Sequence, residues 1–152
     1  MNSMKEQRTG GFLIAKIHQL GGRIFAKKLK QYQLTEINPA QGRIMFPLWQ
    51  KDEIYIHELS KATLLGKSTL TTMLNRLEDE GYLKRVPSEK DRRKTLIKLT
   101  EKTQELQEKY VQVSSEMNEL FYQGLTEQEK DEFDKYLERI LENLTIYSNE
   151  SK

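Results

Sequence analysis

Six consecutive charged residues, Glu89-Lys90-Asp91-Arg92-Arg93-Lys94, lie between two short runs with apolar alternation, Tyr82–Val86 and Thr95–Leu99. Two such runs around a polar turn predict a β-hairpin. Its tip would then carry guanidinium groups, which the negative potential of a nucleic-acid minor groove attracts. A second chemistry-bearing set precedes it. Between about Lys67 and Glu80, Ser68, Thr71, Thr72 and Asn75 fall on one helical face, and Leu70, Met73, Leu74 and Leu77 fall on the other. Short polar side chains can approach base edges without the entropy cost of long ones. The first turn holds Lys67, Ser68 and Thr69 and no acid. Its free N–H groups and the positive dipole end can therefore meet a phosphate. Glu78-Asp79-Glu80 sits at the far end of the same helix, where it need not face a polyanion.

Other chemistries find little support. Cysteine is absent, which removes disulfides, thiolate metal sites, cysteine nucleophiles and thiol redox sensing. The two histidines, His18 and His57, have no metal-ligand spacing between them. No nucleophile–base pair, phosphate-cradling glycine loop or clustered carboxylate pair stands out, so the chain reads as a non-enzyme without a cofactor. No apolar run approaches the roughly 20 residues needed to span a bilayer. Lys16 and His18 interrupt any signal-like core near the N-terminus, and no small-residue cleavage site follows. The expectation is a cytoplasmic protein without a membrane partner.

The elements that would hold these residues can be read from spacing. With 152 residues, 32% charged and 36% hydrophobic, a single helical domain over 1–152 is expected. Leu13, Ile17, Leu20, Ile24 and Leu29 keep one stripe of a helix over 11–34 apolar, ending near Tyr32–Leu34. Gly21-Gly22 within it predicts a close helix approach or a bend. Asn38 as N-cap with Pro39 at the first helical position starts a helix through Ile44, Met45, Leu48 and Trp49. Ile54-Tyr55-Ile56 alternates as a brief strand. A short helix from His57 to about Thr63 follows, with Leu59 and Ala62 inward, and then a tight Leu64-Leu65-Gly66 turn. Gly81 stops the Lys67–Glu80 helix.

Thr100, Glu101 and Thr103 open a long helix with Leu106, Tyr110, Val113, Met117 and Leu120/Phe121 apolar. Thr126 and Glu129 form a capping box before a last helix with Phe133, Leu137, Ile140, Leu144 and Tyr147. These stripes step by four and three, the seam spacing of helices that pack on each other. Charge is segregated as well. Residues 1–35 carry a net +6, residues 84–98 a net +5 and residues 101–152 a net −7. A basic centre and an acidic end suggest one face for a polyanion and another kept from it.

Helix, turn, helix and hairpin over 57–99 follow the order of a winged helix-turn-helix, whose second helix enters the major groove. The stretch LSKATLLGKSTLTTMLNRLEDEGYLKRVPSEKDRRKTLIKLTEK resembles the MarR family (multiple antibiotic resistance regulators). It has a Thr-rich recognition helix, Leu-Glu-x-x-Gly-Tyr-Leu, a basic strand, Asp-x-Arg in the wing and Leu-Thr before the next helix. The resemblance implies a mainly α fold with a small β-wing. A winged helix-turn-helix lobe over 38–99 would be flanked by dimerisation helices over 11–34 and 101–147.

The resemblance also implies a homodimer on double-stranded DNA. Matching recognition-helix positions are Lys67, Ser68, Thr69, Thr71, Thr72, Asn75 and Arg76. In the wing, Arg93 would enter the minor groove, Asp91 would hold it by a charge-assisted hydrogen bond, and Lys90, Arg92 and Lys94 would bind phosphates. Relatives often carry Arg where Thr72 stands, and Gly where Thr103 stands. A small aromatic or phenolic effector would bind near His18, Phe46, Trp49 and Tyr110 and release a repressor from a pseudo-palindromic operator.

Plainer roles exist for the same residues. Asn75 and Arg76 are spaced to pair with Glu78–Glu80 along their helix. His18 and the three aromatic residues could equally be core or interface. The alternative function is a winged-helix architectural or protein-interaction module without sequence specificity.

Overall fold

The computed structural model describes residues 3–151, except the side chain of Pro39. Residues 1, 2 and 152 of the expected domain lie outside them. Six α-helices and three strands are present among the described residues. In order these are α1 (Gly10–Gln31), α2 (Pro39–Gln50), β1 (Glu53–Tyr55), α3 (Ile56–Thr63), α4 (Lys67–Asp79), β2 (Leu83–Pro87), β3 (Thr95–Leu99), α5 (Thr103–Phe121) and α6 (Glu127–Glu150). The chain divides within α5, near Ser114, into two compact units. Among the described residues, no helix is long and apolar enough to cross a membrane.

The N-terminal unit is built on one core. Ile44, Met45 and Leu48 of α2 meet Leu59 of α3, Leu70, Leu74 and Leu77 of α4, Leu83 and Ile97 of the sheet, and Leu106, Tyr110 and Val113 of α5. Each fully buried aliphatic side chain contributes about 1.5–3 kcal/mol relative to exposure. The spacing of Leu70, Leu74 and Leu77 thus fixes which face of α4 is inward. The sheet order is β1-β3-β2, antiparallel throughout, with Ile54 opposite Ile97 and Leu83 opposite Leu99. The hairpin of β2 and β3 agrees with the sequence reading. The pairing of β1 to its outer edge, closed by an ion pair between Lys98 Nζ and Glu53 Oε1 at 3.0 Å, is additional.

Caps lie close to where the residue types place them. Asn38 accepts from the Gln41 N–H at 2.8 Å while the Gln41 side chain accepts from the Asn38 N–H. Gly81 has φ +85°, its N–H bonds the Glu78 carbonyl, and the next N–H bonds that of Leu77. This is the double closure that a left-handed residue permits at a helix end. Two expectations need correction and a third is narrowed. Ala62 is exposed, because the eight-residue α3 turns only Leu59 fully inward. Of the two readings for Gly21-Gly22, the close approach is not made within the chain: among the described residues nothing lies within 4 Å of a Cβ added at either glycine. The helix after the wing starts at Thr103 rather than Thr100, since Thr100 turns to hydrogen-bond the Gly81 carbonyl.

At Gly42 of α2 the backbone lies directly against the Tyr110 side chain of α5. A Cβ there would stand 2.5 Å from the Tyr110 hydroxyl and 2.7–2.8 Å from its ring carbons. The ring cannot simply retreat, because Trp49 lies 4.9 Å and Phe25 5.5 Å from its centroid. Gly42→Ala is therefore expected to destabilise the protein by about 1–3 kcal/mol despite the better helix propensity of alanine. Urea unfolding should show a lower midpoint with an unchanged slope.

In the C-terminal unit, Phe121, Tyr122 and Phe133 form a small aromatic cluster, and the Tyr122 hydroxyl donates to Asp134. The Thr126–Glu129 capping box opens α6 as read from the sequence. No residue of α6 is buried within the chain.

Candidate nucleic-acid interface

With Leu70, Leu74 and Leu77 turned inward, the other face of α4 is left to solvent. Lys67, Ser68, Thr69, Thr71, Thr72, Asn75 and Arg76 are all exposed. Gly66 at the N-cap offers no side chain to the first-turn amides, and no acid stands there. The amides are thereby left for an anion. Two of the seven side chains have partners in the helix or at its C-cap. The Thr72 hydroxyl donates to the Ser68 carbonyl at 3.1 Å, and Arg76 Nε donates to Glu80 Oε1 at 3.1 Å. The helix-spaced pairing of Arg76 is thus present, on an exposed surface where such pairs contribute little.

The far end of α4 is fastened to the wing. Glu78 accepts from the Arg85 backbone N–H at 2.8 Å and from its guanidinium at 2.9 and 3.3 Å. The Arg85 side chain and then its backbone N–H hold the Glu78 carboxyl below the usual range. In the sequence, Glu78 belongs to the acidic end of α4 and Arg85 to the basic stretch 84–98. Their seven-residue separation across the Gly81 turn is the signal that could have joined them.

At the wing tip, Arg93 Nε and Nη2 donate to Asp91 Oδ1 and Oδ2 at 3.0 and 3.2 Å, and the Arg93 N–H adds a third bond to Oδ1. The carboxylate is mostly covered while the Arg93 side chain remains 90% exposed. The guanidinium is thus oriented yet open to a ligand. Its hydrogen bonds, followed by the backbone N–H, keep the Asp91 carboxyl below its ordinary 3.8. A depressed value means that the clamp stands throughout the neutral range and is lost only as pH falls through that lowered value. Lys90 and Arg92 are exposed. Lys94 is exposed too, with its ammonium 5.2 Å above the Tyr55 ring.

Of the four candidate effector residues, Trp49 and Tyr110 meet in the core, whereas Phe46 and His18 are exposed. Burial raises the Tyr110 hydroxyl above its ordinary value. Trp49 Nε1 is buried without a hydrogen-bond partner, as is Gln41 Nε2. Among the described residues, no group of three acidic or histidine side chains is arranged to hold a metal ion.

Comparison with known proteins converges on this arrangement. The model of the MarR family matches residues 37–95. The transcriptional repressor IacR of Pseudomonas putida is 25% identical over 88% of this chain and 78% of its own length. The organic hydroperoxide resistance transcriptional regulator of Bacillus subtilis is 35% identical over 55% of this chain and 60% of its own, so that match spans less than two thirds of the relative. Among solved structures, a mutant MarR of E. coli complexed with operator DNA superposes with a TM-score of 0.76 at 27% identity, covering 93% of this chain and 99% of that one. The matched segment, the helix and wing geometry and these relatives support one conclusion: residues 37–95 form a MarR-family domain, in a chain similar to transcription regulators of that family.

Proposed function

We propose that the protein is a sequence-specific double-stranded DNA-binding repressor that acts in the cytoplasm as a homodimer on a pseudo-palindromic operator. The observation that carries this reading is the pairing of two surfaces on one lobe. One is a row of short polar side chains along α4, and the other is a wing arginine held ready by Asp91. The first suits base edges in the major groove, and the second suits the adjoining minor groove. Similarity to a MarR solved on operator DNA supports the same ligand. Two recognition helices on one face of the duplex require half-site centres roughly 34–36 Å apart.

The test is a footprint on the DNA upstream of the protein's own gene, at two salt concentrations with excess competitor. A two-fold symmetric protected site that survives competitor is the expected result. Binding that disappears with competitor at both salts would indicate instead the non-specific architectural module. An effector subsite is part of the proposal: the Trp49 indole N–H is buried with no partner within the chain, so a small aromatic acid would have to open the contact between Trp49 and Tyr110 to accept from it. Benzoate should then quench the fluorescence of this single tryptophan and weaken operator binding over the same concentration range. Quenching without weakening would mean that benzoate binds near Trp49 without acting on the operator contact.

A further inference from the structure

Ser88, the first residue beyond β2, is polar yet only 2% exposed. Its hydroxyl lies 3.1 Å from the Tyr55 hydroxyl and accepts from the Asp91 N–H at 3.4 Å. Its own N–H donates to the Lys94 carbonyl at 3.0 Å, and the Lys94 N–H donates to the Asp91 carbonyl at 2.9 Å. Ser88 therefore gathers the turn whose side chains form the Asp91–Arg93 clamp. Tyr55 belongs to a different part of the sheet. It stands on β1, opposite Leu96 of β3, and Leu96 is opposite Val86 of β2. To reach Ser88, the Tyr55 side chain crosses the central strand, roughly 10 Å at two strand spacings. Its ring is held on the way. His57 stacks at 5.5 Å and 14°, and the Lys94 ammonium sits above the ring.

We propose that Tyr55 and Ser88 are positioning residues of the wing, their hydroxyl pair anchoring the turn that presents Arg93. The proposal rests on the reading of the wing as a DNA contact. Its physical content is separable from that reading. A hairpin tip tied only by its strand ends pivots about them, whereas a tip bonded to the opposite edge of the sheet has lost that freedom. The bond joins the wing to the strand that leads directly into α3, the first helix of the helix-turn-helix. The orientation of Arg93 is then set relative to the lobe that carries α4, not by the hairpin alone. Asp91 fixes the guanidinium locally, and the Tyr55–Ser88 pair fixes the turn that carries Asp91.

Tyr55→Phe removes one hydroxyl and keeps the ring with its stacking partners, and Ser88→Ala removes the other hydroxyl. Both variants should keep the wild-type thermal midpoint to within a few degrees. In the free protein, ¹⁵N relaxation of the Asp91 amide should report an order parameter near 0.85 in the wild type, falling toward 0.6 in either variant. Arg93 Nε should lose order with it, while the amides of α4 stay unchanged. Unaltered order at both wing positions would overturn the proposal, with or without DNA binding. On the footprinted site, Tyr55→Phe should weaken binding about three- to tenfold, the span of one hydrogen bond. In an Arg93→Ala background, the same change should cost less than about twofold, because coupled residues are not additive. Equal losses in both backgrounds would also overturn it. A wild-type protein that protects no site would defeat the DNA-binding reading alone and leave the relaxation result to decide this one.

Discussion

Replacing Arg93 by alanine is expected to lower affinity for the operator about tenfold to a hundredfold per wing. That corresponds to the roughly 1–3 kcal/mol lost with a well-placed arginine contact. Two wings act in a dimer, so the losses compound. The size of the effect follows from the geometry at the tip. The guanidinium is almost wholly exposed, yet two of its nitrogens are already committed to Asp91. Little side-chain entropy is left to lose when it binds, and its remaining N–H groups face outward.

A narrow A·T minor groove, with its deep negative potential, is where such a group gains most. Anisotropy titrations on operators with A·T or G·C flanks should show Arg93→Ala losing both affinity and flank preference. Arg92→Ala, at an exposed neighbour without that clamp, should weaken all operators alike and reduce the salt slope by about one. If Arg93→Ala weakened all flanks equally, Arg93 would be a phosphate contact and the minor-groove role would fail.

Which of these features could be read in advance depended on the range of the interactions that made them. The inward face of α4 was legible because Leu70, Met73, Leu74 and Leu77 repeat at the helical period, and burial of that stripe settles the orientation of the helix. Asn38, Gly81 and the Thr126–Glu129 box were legible because a cap is a contact among residues three or four apart. The opposition of Asp91 and Arg93 was equally local, and the family resemblance gave it a role.

The features that escaped are those between distant residues. β1 is only three residues long, and its register with β3 joins Ile54 to Ile97 across α3, α4 and β2. Nothing in its short alternation names a partner. The Tyr55–Ser88 bond depends on that register and was invisible with it. In the turn before α4, the left-handed position is taken by Leu64 at φ +57°, while Gly66 has an ordinary φ of −64°. A leucine at positive φ runs against local preference. The packing of α3 against α2 and the sheet fixes where the chain must turn, so the local rule points to the wrong residue.

The second large effect concerns assembly. Among the described residues, α6 buries none of its side chains within the chain, and Leu144 and Tyr147 are 64% and 71% exposed. On α1, Phe12, Leu13, Ile17 and Leu20 are also exposed. Faces of this kind, repeating at helical spacing, are costly to leave in water, since each leucine buried contributes about 1.5–3 kcal/mol. Opposite charge accompanies them. The first 35 residues carry +6 and the last 52 carry −7, so a second copy can bring unlike charge against each face. This favours a partner identical to the chain itself over an unrelated apolar surface.

The expected result is a wild-type dimer by sedimentation equilibrium, at twice the mass of the chain. Ile140→Glu with Leu144→Glu should convert it to a monomer that keeps its helical circular dichroism, because neither residue is buried within the chain. Affinity for a full operator should then fall by about 10²–10⁴, the factor lost when two linked half-site contacts become independent. Affinity for an isolated half-site should stay close to that of the wild type. A monomeric wild-type protein would refute the homodimer and, with it, the two-fold operator. A variant still dimeric would exclude Ile140 and Leu144 from the interface and shift the search to the exposed face of α1.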